Sequence, residues 1–500
     1  MHEPDSTSSK LSALLAAPGN VQLLVWAALY LVIAYVIQFH VVSVPIDADT
    51  AYHAAVGRLI HEHGILRAFP WTPFSWLSDH YADKELLLHL LFVPVIGLGW
   101  ITASKVVGAF LGAILLFVIF LILRAEKVRF AGLWALLPLI TSDVFFYRFA
   151  LVRPHLLSIT LAIILLWAAL RGRYLLLVAV SALYPWSYVA FWQLPLILLC
   201  IVEATRFLSG ERVQWKPAAV SLVGIIIGWS LHPNALNLLK FNWIHMVDVL
   251  FKNAWMSKEG IELGLEFLPF TAEQWLQWLL LAVVMTITGL VLGWRERRQD
   301  LGLLTFAFAA LAFGILSART ARFAEYFIPF AALTMAWASR AVPWRGFLTT
   351  VLIVSLLYTA KPLSETIQGL NSKAENMPPQ LATWLQQQVP AGSQVFTTEW
   401  GLTGTLMLAL PDRKFIVALD PTLFLVKDPE LYRLWYELPR HPRPGMSEII
   451  RKRFGARFVI GLLDERFVNF YFQLSSEPGV KTLLLSDDNW VVFDLGGLSP

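Results

Sequence analysis

Four aspartates, two glutamates and several histidines fall within residues 47–85, directly after the first apolar run of the chain. Asp47 and Asp49 form an Asp-x-Asp pair, and His53 and Arg58 follow them. Carboxylates at this spacing can hold a divalent cation such as Mg²⁺ or Mn²⁺ through their oxygens, or one of them can deprotonate an acceptor. A second explanation for Asp49 is helix capping without any catalysis. The pair therefore predicts a metal site, a general base or a helix start.

Further polar residues stand at the ends of later apolar runs and predict substrate contacts. Asp83 and Glu85 open an apolar helix, where acids also complement the helix dipole. Arg153, with His155 beside it, can clamp an anionic phosphate, although snorkelling to lipid headgroups explains the same position. Substrate binding and a purely structural role are therefore both consistent with these residues.

Two more candidate groups follow in the second half of the chain. His232 and Asn234 lie where an apolar run ends, and a helix-terminating turn explains them equally well. Arg319 and Arg322 lie between two late runs, and Arg322 could simply pair with Glu325, three residues further on. These four residues complete the predicted substrate-binding set.

The elements that must position these residues are membrane helices. The 500 residues are 57% hydrophobic and 15% charged, with a mean hydropathy of +0.61, which is typical of a polytopic membrane protein. The formal charge of +4 gives no argument for nucleic acid, because the basic residues fall in short clusters between apolar runs. The single cysteine excludes an internal disulfide and a cysteine-based metal site.

Apolar runs predict about eleven transmembrane helices. They lie at Val21–Val42 and near 102–123, 131–147, 150–170, 174–184, 189–206, 217–231, 273–294, 301–317, 322–339 and 346–360. Residues 44–86 form a long loop after the first span, with two predicted helices at about 49–64 and 84–97. Residues 1–360 are predicted to be the transmembrane domain.

Basic clusters orient these spans. They fall in alternate short loops, at 124–129, 171–173, 206–216, 295–298 and 340–345, and the positive-inside tendency places those loops in the cytoplasm. The acidic loop, residues 232–272 and everything after residue 360 are then external. Membrane lipid is the expected surrounding of the chain.

Residues 361–500 change in character and predict an extracytoplasmic α/β domain. Helices and strands alternate there, as in small α/β folds. The predicted helices are 378–388, 428–438, 445–454 and 465–475, and the predicted strands are 394–398, 414–419, 457–463 and 490–495.

Known soluble catalytic motifs are missing. The chain has no P-loop, no His-Glu-x-x-His and no Gly-x-Ser-x-Gly sequence, so water-soluble nucleotide chemistry has no support. A non-catalytic transporter or scaffold for lipid-linked glycans is the main rival class, but neither inverted repeats nor mid-span charges are evident. A lipid-linked phosphate transferase of different chemistry would use the same acids.

Several short motifs resemble the GT-C superfamily, polytopic glycosyltransferases that use polyprenyl-phosphate-linked sugars. The motifs are Asp47-Ala48-Asp49, Pro73-Phe74-Ser75-Trp76, Asp83-Lys84-Glu85-Leu86, Arg153-Pro154-His155-Leu156 and Leu231-His232-Pro233-Asn234. The C-terminal part is similar in layout to the catalytic subunit of oligosaccharyltransferase. Its turn Glu399-Trp400-Gly401 lacks the full WWDYG-like motif, which puts recognition of a peptide acceptor in doubt.

This resemblance implies a membrane glycosyltransferase that moves a sugar to an external glycan, lipid or protein. Asp49 or Asp47 would act as general base or metal ligand, and Arg153 would neutralise the leaving phosphate, with Arg319 or Arg322 as further cations. The expected location is the bacterial inner membrane, with the C-terminal domain outside the cytoplasm. The sugar and the acceptor stay open.

Overall fold

The computed structural model describes residues 18–43, 47–188, 192–256, 264–342, 344, 346–372, 377–418, 420–486 and 489–496. Its first part is helical and consists of α1 (Pro18–Val36), α2 (Ala48–His63), α3 (Leu86–Phe92), α4 (Trp100–Ala125), α5 (Ala131–Trp134), α6 (Leu137–Thr141), α7 (Asp143–Ala150), α8 (His155–Leu170), α9 (Tyr174–Ser187), α10 (Leu194–Leu208), α11 (Trp215–Leu231), α12 (Ala235–Trp243), α13 (Ala272–Gln274), α14 (Leu280–Glu296), α15 (Leu301–Ser317), α16 (Ala324–Ala338) and α17 (Phe347–Ser372). The π-helical stretches Ile37–Val41, Ile244–Trp255 and Trp275–Leu279 continue α1, α12 and α13.

The C-terminal segment, residues 377–496, mixes helices and strands. It contains α18 (Pro379–Gln388), β1 (Gln394–Phe396), α19 (Thr403–Ala409), β2 (Lys414–Phe415), α20 (Thr422–Lys427), α21 (Pro429–Arg440), α22 (Met446–Phe454), β3 (Phe458–Leu462), α23 (Val468–Ser475), β4 (Lys481–Leu485) and β5 (Trp490–Asp494).

Four helices in the described part of the chain are long and apolar enough to cross a membrane. They are Gly19–Val41, Trp100–Ala125, Ala272–Glu296 and Phe347–Leu370. Two sharply bent helix pairs, α7 with α8 (114°) and α11 with Ala235–Lys252 (118°), raise the number to six if each pair is one span. These helices support a multi-pass membrane protein, as the hydropathy predicted.

The predicted count of about eleven spans is not confirmed. The apolar run predicted at 131–147 is divided among α5, α6 and the start of α7, each of which is far shorter than a span of about 20 residues. The helices α9 and α15 are apolar, but they also fall short of the length of a full span. Hydropathy counts apolar residues and does not detect where the backbone bends, so broken helices were counted as complete spans.

Helix α2 carries the acidic pair, and its N-terminus is capped by Asp47 rather than by Asp49. The Asp47 side chain accepts hydrogen bonds from the Thr50 N–H (3.3 Å) and from the Thr50 hydroxyl, and its backbone is extended. Asp49 lies in the first helical turn, where its carboxylate meets the positive end of the helix dipole. The capping explanation therefore accounts for Asp47 and leaves Asp49 without a capping contact.

The C-terminal strands form one five-stranded sheet in the order β2-β1-β3-β5-β4. Strand β1 runs parallel to β2 and β3, whereas β5 is antiparallel to β3 and β4. Alternate residues bury two faces: Phe458 and Ile460 belong to the core of the helical part, and Val459 packs in a second core beneath α21 to α23. The sheet is thus covered on both sides.

The predicted elements of this segment agree with the structure within a few residues. The four predicted helices correspond to α18, α21, α22 and α23, and the four predicted strands to β1, β2, β3 and β5, with β2 shorter than expected. Strand β4 and the short helices α19 and α20 were not predicted. Strand β4 is largely exposed, so it lacks the buried apolar pattern that reveals a strand in sequence.

Helix α19 of the C-terminal segment packs directly against α2. The Arg58 side chain on α2 donates to the backbone oxygens of Met407 and Leu408, both at 3.2 Å. A Cβ added at Gly404 would lie 2.2 Å from the Ala48 backbone oxygen, which shows how closely the two backbones approach. This contact fixes the acidic end of α2 against the C-terminal segment.

We expect Gly404→Ala to destabilise the protein by about 1–3 kcal/mol, because the added methyl group forces α19 away from Ala48. The thermal unfolding midpoint of the purified protein measures this effect. Gly401→Ala is the matched control, since no atom lies within 4 Å of a Cβ built at Gly401. Equal midpoints for the two variants would show that the helices do not need this close approach.

Candidate active site

A cavity of about 390 Å³ lies where the acidic loop, the ends of the apolar helices and the C-terminal segment meet. Its charged and histidine lining consists of Asp49, His53, Lys84, Glu85, Arg153, His245, Glu266, Arg322, Glu399, Asp420, Asp464 and Arg466. Apolar residues, among them Phe241, Val249 and Phe267, complete the wall. The cavity therefore combines an apolar wall with a charged one, as an amphipathic ligand requires.

Arg153 lies at the centre of the charged wall. It occupies the sharp bend between α7 and α8, and three carboxylates surround its guanidinium group. Its Nε donates to Asp47 Oδ2 at 2.7 Å, and its Nη1 lies 2.7 Å from Asp49 Oδ2 and 3.4 Å from Glu266 Oε1. Residues about a hundred positions apart in sequence are thus joined at one point.

The charges of this group shift its acid–base properties. Burial would raise the pKa of Glu266, but Arg153 and Arg322 outweigh it and lower that pKa to about 2. Burial raises the pKa of Asp49 above its ordinary value, and Arg153 only partly opposes this effect. Asp49 is consequently a better proton acceptor than an ordinary aspartate, while Glu266 stays ionised.

Arg322 is the second cation beside Glu266. Its Nη1 is 3.8 Å from Glu266 Oε1, and its Nη2 contacts the hydroxyl of Tyr188. Its buried Nε has no hydrogen-bond partner among the described residues. The predicted pair of Arg322 with Glu325 is replaced by a different one, because Glu325 accepts hydrogen bonds from Arg148 at 2.7 and 3.2 Å.

A buried chain of hydrogen bonds leads from Asp83 to the cavity wall. Asp83 Oδ2 lies 2.8 Å from His89 Nδ1, and His89 Nε2 lies 2.9 Å from Nδ1 of His53, which lines the cavity. Burial by itself would raise the pKa of Asp83, but His89 outweighs it and holds this pKa below its ordinary value. An ionised Asp83 orients both imidazole rings, as in other carboxylate–histidine pairs.

Asn234 supports this chain from a neighbouring turn. Its Oδ1 accepts from the Asp83 backbone N–H at 3.3 Å, and its Nδ2 donates to the Leu66 backbone oxygen at 3.3 Å. His232 Nδ1 in turn accepts from the Asn234 N–H at 3.1 Å, and burial lowers the pKa of His232 to about 4. The turn therefore orders the loop behind the cavity.

We expect Asn234→Ala to cost about 1–3 kcal/mol of stability, because it leaves the buried Asp83 N–H and Leu66 oxygen unsatisfied. Chemical or thermal unfolding in detergent measures this loss. Asn237→Ala is a suitable comparison, since Asn237 makes one bond to the Tyr81 backbone oxygen at 2.9 Å and none to Asp83. An Asn234→Ala variant as stable as the unchanged protein would contradict this role.

Two groups of side chains bear on metal binding. His53, Glu85 and His89 are all buried and offer one ligand atom each within 4.8 Å of one another, a donor set of nitrogen and oxygen that can bind a transition metal. Asp47 and Asp49, which the sequence offered for Mg²⁺ or Mn²⁺, direct their oxygens at Arg153 instead. A positively charged group therefore already occupies the point where that pair would hold a cation.

The twelve residues predicted from sequence divide into three sets. Those that line the cavity are Asp49, His53, Glu85, Arg153 and Arg322. Two lie directly behind the cavity wall: Asp47 accepts a hydrogen bond from Arg153, and Asp83 is hydrogen-bonded to His89. Those not among the lining residues are Arg58, His155, His232, Asn234 and Arg319. In the last set, His155 binds the Arg148 backbone oxygen and Arg319 that of Trp255.

The sequence patterns did not identify His89, Glu266 or Asp420 as site residues. His89 is four residues after Glu85, a spacing that places both on one helical face and could have been recognised. His245 Nε2 binds Asp420 Oδ2 at 2.7 Å and links the π-helical continuation of α12 to the C-terminal segment. No sequence signal connects Glu266 or Asp420 with partners more than a hundred residues away, because only the fold brings them together.

No protein-family model matches the chain, and no curated protein matches it. Solved structures do. The oligosaccharyltransferase AglB of Archaeoglobus fulgidus, in complex with an inhibitory peptide and a dolichol-phosphate, aligns with a TM-score of 0.62 and 14% identity over 90% of this chain and 71% of its own. The chain has a GT-C fold.

Two further GT-C proteins support this assignment. ArnT from Cupriavidus metallidurans, bound to undecaprenyl phosphate, aligns with a TM-score of 0.52 and 13% identity over 95% of this chain and 99% of its own. The mycobacterial arabinofuranosyltransferase AftD gives a TM-score of 0.51 and 14% identity over 95% of this chain and 42% of its own. At these identities the likeness establishes the GT-C fold and leaves the substrates open.

Proposed function

We propose that the protein is an integral membrane glycosyltransferase that moves a sugar from a polyprenyl-phosphate-linked donor to an extracytoplasmic glycan, lipid or protein. The observation that carries this proposal is the cavity of a GT-C fold in which Asp49, Arg153 and Arg322 meet. A carboxylate and two guanidinium groups supply what sugar transfer from a lipid phosphate needs, namely a base and cations for the leaving phosphate.

The donor class follows from the two kinds of wall in the cavity. A polyprenyl chain needs apolar surroundings, and its phosphate needs cations. Phe241, Val249 and Leu250 line the cavity together with the two arginines. The neighbouring structures of AglB and ArnT contain dolichol-phosphate and undecaprenyl phosphate, respectively, which supports a polyprenyl phosphate here.

In the proposed reaction, the acceptor oxygen bonds to the anomeric carbon while Asp49 takes its proton. The bond between that carbon and the phosphate oxygen breaks, and its electron pair leaves on the polyprenyl phosphate. Arg153 and Arg322 stabilise the negative charge that remains there. His53 and Glu85 are placed to contact the sugar, since both line the same cavity.

The proposed location is the bacterial inner membrane, with the cavity and the C-terminal segment outside the cytoplasm. The alternate basic loops support this orientation through the positive-inside tendency. Contacts between the acidic loop and the C-terminal segment require both to lie on one side. Lys427 Nζ, for example, lies 2.6 Å from Asp79 and bonds to the Pro73 oxygen at 2.8 Å.

The direct test uses purified protein in liposomes with polyprenyl-phosphate sugars carrying a radiolabel and with a bacterial envelope extract as acceptor. We expect the label to move from the lipid to the extract. Glu62→Gln serves as a control for protein handling, because Glu62 lies exposed at the far end of α2, outside the cavity. Labelled donor that stays intact, or crosses the bilayer unchanged, would favour a transporter instead.

A further inference from the structure

Three carboxylates, two in the cavity wall and one directly behind it, converge on one guanidinium group. Asp47 and Asp49 come from the start of α2, and Glu266 comes from the 3-10 helical turn Leu265–Phe267 before α13. Each lies within 3.4 Å of a nitrogen of Arg153. Three converging carboxylates are the kind of ligand set that holds a divalent cation. Here the positive charge between them is the guanidinium group of Arg153.

Both oxygens of Asp47 already accept hydrogen bonds within the chain. Its Oδ2 accepts from Arg153 Nε at 2.7 Å and from the Thr50 N–H at 3.3 Å, while its Oδ1 accepts from the Thr50 hydroxyl. A cation bound through Asp47 would therefore compete with its contacts to Thr50 and Arg153. A magnesium ion needs its oxygens at about 2.0–2.1 Å, so Arg153 would also have to move away.

The charges of the group already come close to cancelling. Asp47, Asp49 and Glu266 carry the negative charges, and Arg153 and Arg322 carry positive ones. The ammonium group of Lys84 also acts on Asp49. A bound divalent cation would add excess positive charge unless a guanidinium group left the site.

We infer that Arg153 takes the place of a divalent cation in this cavity, so that sugar transfer proceeds without one. The Nε and Nη1 of Arg153 hold the carboxylates, and no described residue accepts a hydrogen bond from its Nη2. Since Arg153 lines the cavity, Nη2 is the donor left for the lipid phosphate. The part of this inference that concerns activity rests on the proposed function, and the part that concerns cation binding does not.

The test measures Mn²⁺ binding by electron paramagnetic resonance in four proteins: the unchanged protein, Arg153→Met, Glu266→Gln and the double variant. Any Mn²⁺ bound by the unchanged protein, for example at His53, Glu85 and His89, should be unaffected by Glu266→Gln. Arg153→Met should gain an Mn²⁺ site that binds at least about tenfold more tightly than the unchanged protein does at the same carboxylates, because these three acids lose their counter-charge. Adding Glu266→Gln to Arg153→Met should remove this new site. Arg457→Met, which frees only Asp494 at the end of β5, should gain no such site.

Two results would overturn the inference. One is Mn²⁺ binding to the unchanged protein that Glu266→Gln abolishes, and the other is a folded Arg153→Met variant that gains no site. If that variant does not fold, the comparison of the unchanged protein with Glu266→Gln still decides. Transfer activity gives an independent reading: exhaustive chelation should leave the rate within about twofold, whereas loss restored by Mn²⁺ would contradict the inference. If none of the four proteins transfers sugar under any condition, the proposed function fails. The Mn²⁺ binding results still test whether Arg153 takes the place of a cation.

Discussion

Replacing Asp49 with asparagine should reduce sugar transfer by about a hundredfold to ten-thousandfold, the range typical for loss of a general base. The new amide would keep the size of the side chain and a hydrogen-bond acceptor for Arg153, but it cannot take a proton. The helix should persist, because its cap is formed by Asp47 and Thr50. The rate of label transfer in liposomes measures the loss, with the thermal midpoint recorded in parallel.

The comparison with neighbouring carboxylates makes this expectation specific. Glu62→Gln removes an exposed acid from the same helix and should leave the rate unchanged. Asp47 accepts a hydrogen bond from Arg153 Nε, so Asp47→Asn should affect the rate mainly through the position of Arg153. It should therefore reduce activity less than Asp49→Asn does. Full activity in both Asp47→Asn and Asp49→Asn would show that the acidic pair does no chemistry.

Replacing Arg148 with methionine should destabilise the protein by about 3–5 kcal/mol. Arg148 on α7 donates twice to Glu325 on α16, and the two side chains are 9% and 0% exposed. The variant leaves a buried carboxylate without a cation, between two apolar helices where water cannot replace the lost bonds. The unfolding midpoint in detergent, compared with that of the unchanged protein, measures the effect.

A double variant separates the loss of an ion pair from the loss of packing. Arg148→Met with Glu325→Leu removes both charges and should recover most of the stability, since apolar replacements of a buried pair are often tolerated. A single Arg148→Met variant with an unchanged midpoint would mean that Glu325 finds another partner or is not buried in the membrane protein. Equal losses in the single and double variants would assign the effect to packing.

Local sequence patterns predicted the elements that depend on near neighbours. The start of α2 follows from its acidic residues, although the cap proved to be Asp47 and not Asp49. Strands β1, β3 and β5 were recognisable because their apolar residues are buried on both faces. The C-terminal boundaries agree for the same reason: each element carries its own burial pattern.

Features that depend on distant contacts could not be predicted in this way. The bend of 114° beside Arg153 lies at the start of the span predicted at 150–170, and hydropathy carries no information about the angle between two helices. Glu266 is one of three glutamates within residues 259–266, and its role depends on meeting Arg153, 113 residues earlier in the chain. The span count and the composition of the charged wall were therefore the weakest parts of the sequence prediction.

The central claim is that the anionic head of a polyprenyl phosphate lies between the arginines and Asp49. Cryo-electron microscopy of the protein with undecaprenyl phosphate tests it most directly. We expect phosphate density at hydrogen-bond distance, about 2.7–2.9 Å, from Arg153 or Arg322, with the Asp49 carboxylate facing the same space. Density for the lipid phosphate elsewhere on the protein, with the cavity empty beside Asp49, would contradict the account.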